Sequence, residues 1–378
     1  MQTTSNVSND TVQPQAASQS SSPLTSAGQG NTTSNVKENT QVFETQSYQV
    51  STAFNMPTID PRVKLPGLKP GLPGVPKIDP GYVFDTERLR DLTMFWVGGF
   101  KALLVEGDPA AGKTSLVSQW HARLNVPLDC VACGRGTMQH HLFGQLLPTE
   151  SGSLKWHDGP VTRACRNGTS VLLDEYNNMD PAEQTALNMV LEGNSFTIPE
   201  TGEVITPAPT TRFFATQNPE DSEAAVAGRN ALDVANEDRF IVMAVDYIKE
   251  DQERAVVENS LQGVAQGDFA RLIAEVTVKV ANEVRAAFRA KVDGIEKPMS
   301  TRKVIQWARL IAMYHPVLSK ATPKRSGFHH AAPRALKMPV TMAAAVNEII
   351  TNIVRPVFDF HFSERDTAGE PGDNPNNF

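Results

Sequence analysis

Two kinds of hydrophobic spacing divide the chain. Between about residues 81 and 246, short apolar runs alternate with stretches of helical periodicity. The runs at 102–105, 126–133, 170–173 and 212–216 read as buried strands. Helices are expected from Thr86 to Val97 and from the end of the glycine-bounded loop at 107–112 to Leu124. A third begins at Asp180-Pro181-Ala-Glu183, with Asp180 as N-cap, Pro181 at the first position and Glu183 completing a capping box. It runs to Glu192 and stops at Gly193. Strand and helix in alternation predict an α/β fold, a mostly parallel sheet with helices on both faces. Residues 145–161 and 195–206 interrupt the pattern as hairpins, the second turning about Thr201-Gly202. From Tyr247 the spacing is helical throughout. Phe269, Ile273, Val276, Val280, Val284 and Phe288 form one stripe, and Val304, Ala308 and Ile311 another behind Ser300. This predicts a small all-α domain whose stripes are core.

The pattern fades at both ends. Residues 1–55 are rich in Ser, Thr, Gln and Asn and offer too little apolar surface to offset the entropy of ordering, so a disordered tail is expected. Residues 56–80, rich in Pro and Gly, read as an extended linker laid on the folded surface. The expected division is therefore tail 1–55, linker 56–80, α/β domain 81–246, helical domain 247–360 and a flexible tail 361–378. A net charge of −7 gives no global pull toward nucleic acid or an anionic membrane. No apolar run approaches a membrane span, and the N-terminus lacks the basic-then-apolar pattern of a secretory signal. Three cysteines, Cys130, Cys133 and Cys165, suit a reducing cytoplasm rather than a disulfide framework.

The chemistry centres on Gly107-Asp108-Pro109-Ala110-Ala111-Gly112-Lys113-Thr114-Ser115, placed between a strand and a helix. That context is what a phosphate-binding P-loop requires. Glycines let the backbone wrap an anion, loop N–H groups point inward, and the following helix adds its positive N-terminal dipole. Lys113 is placed to reach the β- and γ-phosphates and Thr114 to ligate Mg²⁺. The strand at 170–173 ends in Asp174-Glu175, 174 − 113 = 61 residues beyond Lys113. Asp174 is placed to hold Mg²⁺ and Glu175 to deprotonate the attacking water. The strand at 212–216 ends in Gln217-Asn218-Pro219, where Asn218 can hydrogen-bond the γ-phosphate or that water.

Gly-x-x-x-x-Gly-Lys-Thr, Leu-Leu-Asp-Glu, Ala-Thr-Gln-Asn-Pro, Glu-Asp-Arg239-Phe and Ser-Thr-Arg302 follow one another in the order seen in AAA+ ATPases. Trp156-His-Asp-Gly-Pro-Val-Thr-Arg-Ala is similar to a stretch of the MoxR-like branch, which includes the rubisco and nitric-oxide-reductase activators. Residues 78–85 and 299–308 look like the cobaltochelatase AAA+ subunit. The resemblance covers roughly residues 76–360. It departs at Ala110-Ala111, where the family often has Gly at the first position. It implies ATP as substrate with Mg²⁺, Arg239 as an arginine finger reaching a neighbouring subunit's γ-phosphate, and Arg302 as the sensor arginine at the boundary of the helical lid. Tyr82 to Phe84 resemble the segment that lies against adenine. The resemblance also implies a homo-oligomeric ring, a hexamer, working with a protein partner that carries a von Willebrand A domain.

Two functional classes are weighed, an ATP-driven protein remodeller and a nucleic-acid motor. Pore hairpins that grip a polyphosphate should be basic. Here one carries Lys155 but also Glu150 and Asp158, and the other Glu200 and Glu203, so the remodeller is preferred. Metal insertion into a tetrapyrrole, as in cobaltochelatase, is the alternative within that class. Cys130-x-x-Cys133 with His140-His141 matches no familiar zinc spacing, and Cys130 is expected to pack as a small hydrophobe. His329-His330 are expected in a solvated loop.

Overall fold

The computed structural model describes residues 43–219, 234–314 and 326–361. Ahead of the predicted α/β pattern stands an antiparallel pair, β1 (Thr45–Gln49) and β2 (Lys64–Leu68), joined through the short helix α1 (Val50–Ala53). Of its few apolar residues, Val50, Phe54, Leu65 and Leu68 are buried. Phe54 lies edge-on to Phe84 at 5.0 Å and 5.1 Å from Trp120. This corrects the expected tail and linker over residues 43–68. A handful of aromatic and aliphatic anchors, scattered among Ser, Thr and Gln, finds partners on a surface formed much later in the chain. Residues 69–80 hold no strand or helix and are bonded to that same surface. Gln119 accepts from the Asp79 N–H and donates to the Lys77 carbonyl, and the Leu128 N–H donates to Gly74. The expected loose ends at 1–42 and 362–378 lie outside the described residues.

The α/β unit then begins. The helix α2 (Thr86–Val97) is capped by the Asp85 carboxylate, which accepts from the Glu87 and Arg88 N–H groups. Next come β3 (Ala102–Glu106), α3 (Lys113–Leu124) and β4 (Leu128–Ala132). A short helix α4 (Gln139–Phe143) opens the first insertion, the hairpin β5 (Gly144–Pro148) and β6 (Leu154–Asp158). The chain returns through α5 (Pro160–Asn167) to β7 (Ser170–Asp174). The helix predicted over 181–192 is broken at Leu187 into α6 (Pro181–Ala186) and α7 (Asn188–Leu191). Asp180 caps it as expected, but Glu183 accepts from the Gln139 N–H instead of closing a capping box. The second insertion is the two-residue pair β8 (Phe196–Thr197) and β9 (Val204–Ile205). Then follow β10 (Arg212–Gln217), α8 (Val234–Glu237) and β11 (Ile241–Ala244).

The main sheet is five-stranded and parallel, in the order β11-β3-β10-β7-β4. The three inner strands are buried nearly throughout, which is why they read as continuous apolar runs. One apolar cluster gathers α2, α3 and the β1–β2 pair on one face, and another gathers α5, α7 and both hairpins on the other. Cys130 sits on the edge strand β4 and is exposed, against expectation, because an edge strand covers one flank less than a central one.

The helical unit contains α9 (Glu250–Ser260), α10 (Gly267–Arg289), α11 (Thr301–Tyr314), α12 (Gly327–Leu336) and α13 (Val340–His361), packed around their own apolar cluster. His329 and His330 fall within α12 rather than a loop; Ser326 opens that helix and receives the His330 N–H. Among the described residues no helix is long and apolar enough to cross a membrane.

Candidate functional site

Parallel strands place their C-terminal ends on one edge, and there the three sequence motifs meet. β3 enters the loop 107–112, β7 ends at Asp174, and β10, between them, leads to Asn218. Gly107 is required by close approach: a Cβ there would stand 1.9 Å from the Val245 carbonyl oxygen. Gly112 has φ +90°, which an L-residue with a side chain resists. Ala110 also takes a left-handed conformation, φ +64°, and holds it at a cost on the order of 1–2 kcal/mol. The position where the family often carries Gly is thus one whose backbone a glycine would adopt freely.

Lys113 is buried at the first turn of α3. Its ammonium donates to the carbonyls of Gly107 (2.7 Å) and Asp108 (3.0 Å) and to Asn218 Oδ1 (2.8 Å). Thr114 Oγ1 donates to Asp174 Oδ1 at 2.7 Å. A hydroxyl and a carboxylate side by side at a phosphate-shaped loop are the hard oxygen donors Mg²⁺ takes, so these residues fit the ion and a triphosphate together. Glu175 stands one residue past β7 with φ 57° and ψ 46°. That left-handed step turns its side chain off the strand, where Oε2 accepts from Asn178 Nδ2 at 2.8 Å. Among the described residues no group of three or more His, Cys, Asp and Glu stands together as a metal site would require. Cys133 and Cys165 are thiols pushed up to about 12 by burial.

Arg239 stands apart from this edge. It lies two residues before β11, which runs parallel to β3 with Ile241 opposite Leu103. It sits in the turn before the N-terminal end of β11, whereas the loop follows the C-terminal end of β3. Its guanidinium pairs with Glu192 at 2.8 Å. Arg302 is exposed in the first turn of α11, behind Ser300, whose hydroxyl accepts from the Lys303 N–H. Phe84 is packed in the core between Phe54 and Tyr82, while Tyr82 is half-buried.

Several residues that sequence reasoning passed over bear directly on the loop. Arg289, at the end of α10, bonds Asp108 of the loop (2.8 Å) and also Asp246. Tyr247 donates its phenol to the Pro109 carbonyl (2.8 Å) while Arg285 lies 4.1 Å over its ring. Arg285 is itself buried in a two-armed pair with Glu253 (2.6 and 2.7 Å), which Thr301 also bonds. The helical unit is thus tied to the loop through an arginine, a tyrosine and a buried ion pair. An arginine on a long amphipathic helix carries no signal of this; only the fold brings α10 to the loop. The two hairpins are joined in a similar way. Arg166 on α5 bonds Asp158 of β6 (2.8 Å) and both oxygens of Glu203 beside β9 (2.6 Å for the second). That guanidinium holds the Glu203 carboxyl below the usual carboxylate range.

An AAA domain of the dynein-related subfamily matches residues 102–240, and the CbbQ/NirQ/NorQ C-terminal domain matches residues 253–357. The aerobic cobaltochelatase subunit CobS of Sinorhizobium sp is 30% identical over 262 residues, 66% of this chain and 76% of that protein. The denitrification regulatory protein NirQ of Stutzerimonas stutzeri is 30% identical over 250 residues, 65% of this chain and 83% of its own. Midasin of Giardia intestinalis is 33% identical over 159 residues, a span that is 3% of midasin. A solved structure of a putative ATPase from Cytophaga hutchinsonii aligns at TM-score 0.38 and 19% identity, over 73% of this chain and 90% of the other.

Proposed function

The chain belongs to the MoxR-like AAA+ ATPases, with homologues in the CbbQ/NirQ and CobS groups, and from that membership we propose that it hydrolyses ATP to remodel or activate a partner protein. The observation that carries the reading is the meeting of Lys113, Thr114, Asp174 and Asn218 at one sheet edge. Lys113 and the loop N–H groups bind the phosphates. Thr114 and Asp174 hold Mg²⁺, which supplies positive charge to the phosphate oxygens when bound. Glu175 takes the proton of the water that attacks the γ-phosphorus as the bond to the departing ADP breaks, and Asn218 orients that water. Arg302 faces the nucleotide from the lid boundary.

Arg239 serves another subunit. It stands before the N-terminal end of β11, away from the C-terminal edge where its own loop lies, which suits a charge offered across a ring interface. We assign the ring six subunits, a cytoplasmic location, and a partner protein with a von Willebrand A domain. A second reading, a motor for metal insertion into a tetrapyrrole, is favoured by the match to most of a cobaltochelatase subunit.

Mixed subunits test the proposal. Glu175→Gln keeps ATP binding but lowers turnover by at least ~10²-fold. Arg239→Ala keeps ATP binding and lowers turnover by ~10³-fold or more. Each variant retains the half-site the other lacks, so mixing them should restore measurable ATPase activity. No recovery at any ratio would remove both the ring and the role of Arg239.

A further inference from the structure

We propose that Thr216 is a positioning residue whose single buried hydroxyl sets Asp174 and Glu175 relative to each other and to Thr114. The proposal rests on the ATPase reading and adds to it a residue outside the loop and acidic motifs. β10 runs between β3 and β7, and the register Ala215 opposite Leu173 puts Thr216 beside Asp174. Thr216 and Asn218 are two residues apart, so their side chains leave the same face of the strand.

The hydroxyl both donates and accepts. Thr216 Oγ1 donates to Asp174 Oδ1 at 2.6 Å and accepts from the Glu175 N–H at 3.0 Å. A hydroxyl has one proton to give, and here it goes to the carboxylate. Asp174 Oδ1 also takes the Thr114 hydroxyl at 2.7 Å, so two hydroxyls fix one carboxylate oxygen. The bond from the Glu175 N–H matters because Glu175 is left-handed, φ 57°, a conformation that persists only where the surroundings enforce it. Thr216 enforces it from the next strand. Asn218, two residues on, bonds Lys113, so one strand end touches the ammonium, the metal-side carboxylate and the backbone of the base.

A strand-filling role alone would not need the hydroxyl. Valine has the same shape, packs as well in a strand, and would leave the part-buried Glu175 N–H without its partner and Asp174 Oδ1 with one hydroxyl instead of two. The experiment compares Thr216→Val and Thr216→Ser with wild type in the full chain. Affinity for a fluorescent ATP analogue is measured in Mg²⁺ and in EDTA, and ATP turnover is measured across a Mg²⁺ titration. Thr216→Val should keep wild-type affinity in EDTA, since Lys113 and the loop are intact. It should lose most of the gain in affinity that Mg²⁺ brings, and its kcat should fall by ~10-fold or more, the scale of one charge-assisted hydrogen bond. Thr216→Ser, which keeps the hydroxyl, should recover both. Wild-type Mg²⁺ gain and kcat in Thr216→Val would overturn the proposal. So would a folded Thr216→Ser that lacks the gain, including the case where Thr216→Val does not fold. A wild-type protein that gains affinity with Mg²⁺ yet hydrolyses nothing would remove the ATPase reading, and the binding arm would still decide Thr216.

Discussion

Phe54→Ala is the sharpest test of the architecture, because Phe54 comes from a stretch whose composition argues against folding. The side chain is 1% exposed and lies between Phe84 and Trp120, with centroids 5.0 and 5.1 Å away. Its removal takes away the buried ring and leaves a cavity beside Phe84 and Trp120. Phe→Ala at such a site costs about 3–5 kcal/mol, roughly a fifth or more of the stability of an ordinary domain. At roughly 2–4 °C per kcal/mol, Tm should fall on the order of 10 °C. Urea unfolding followed by tryptophan fluorescence suits the measurement, since Trp120 is in contact with the mutated position. Lys64→Ala, exposed on the same antiparallel pair, should stay within ~0.5 kcal/mol of wild type. A loss below ~1 kcal/mol for Phe54→Ala would mean that residues 43–68 do not pack on the α/β core in solution.

Two further outcomes follow from buried charge. His121 is fully buried, donates its Nδ1–H to the Val117 carbonyl (2.7 Å), and is lowered by desolvation to about 4. With the folded value below the unfolded value of about 6.5, its contribution is complete above pH 6.5 and is lost as pH falls toward 4, by up to about 3 kcal/mol. Urea midpoints at pH 7 and pH 5 should differ in wild type and converge in His121→Leu. Glu253→Gln leaves Arg285 charged and buried at 4% exposure, so it should destabilise the helical unit by ~3–5 kcal/mol, read as a lower Tm. An unchanged Tm would show the pair to be open to water.

The central strands were legible because their chemistry is redundant. β3, β7 and β10 are buried nearly throughout, so their middles are apolar runs until the strands reach the ligand edge, where Asp174 and Asn218 stand out. Loop and helix around Lys113 announce themselves through glycine spacing. The β1–β2 pair was not legible, because its burial depends on Trp120, Phe84 and Asn125 rather than on its own periodicity: Tyr48 accepts from Asn125 Nδ2 and donates to the Leu68 carbonyl. Thr216 hid in plain sight, since threonine is an ordinary strand former and its hydroxyl acquires meaning only beside Asp174. Arg289 reads as a solvated end of α10 until the fold carries that end to Asp108. Each miss is a case in which the partner, not the residue, holds the information.

The Arg166 staple limits how this protein can be rearranged. Hairpins are ordinarily the exchangeable parts of a scaffold, because each closes its own hydrogen bonds and can be lifted out whole. Here the first hairpin ends at Asp158 and the second carries Glu203, and one guanidinium on the helix between them answers to both. Trp156 of the first hairpin also donates to Asp158 at 2.8 Å, which fixes the carboxylate that Arg166 needs. A chimera that imports one hairpin from a relative would inherit an arginine with one carboxylate too few or a carboxylate with no cation. The unit of exchange is therefore the span from the first hairpin through the second, with β7 and its acidic pair inside it.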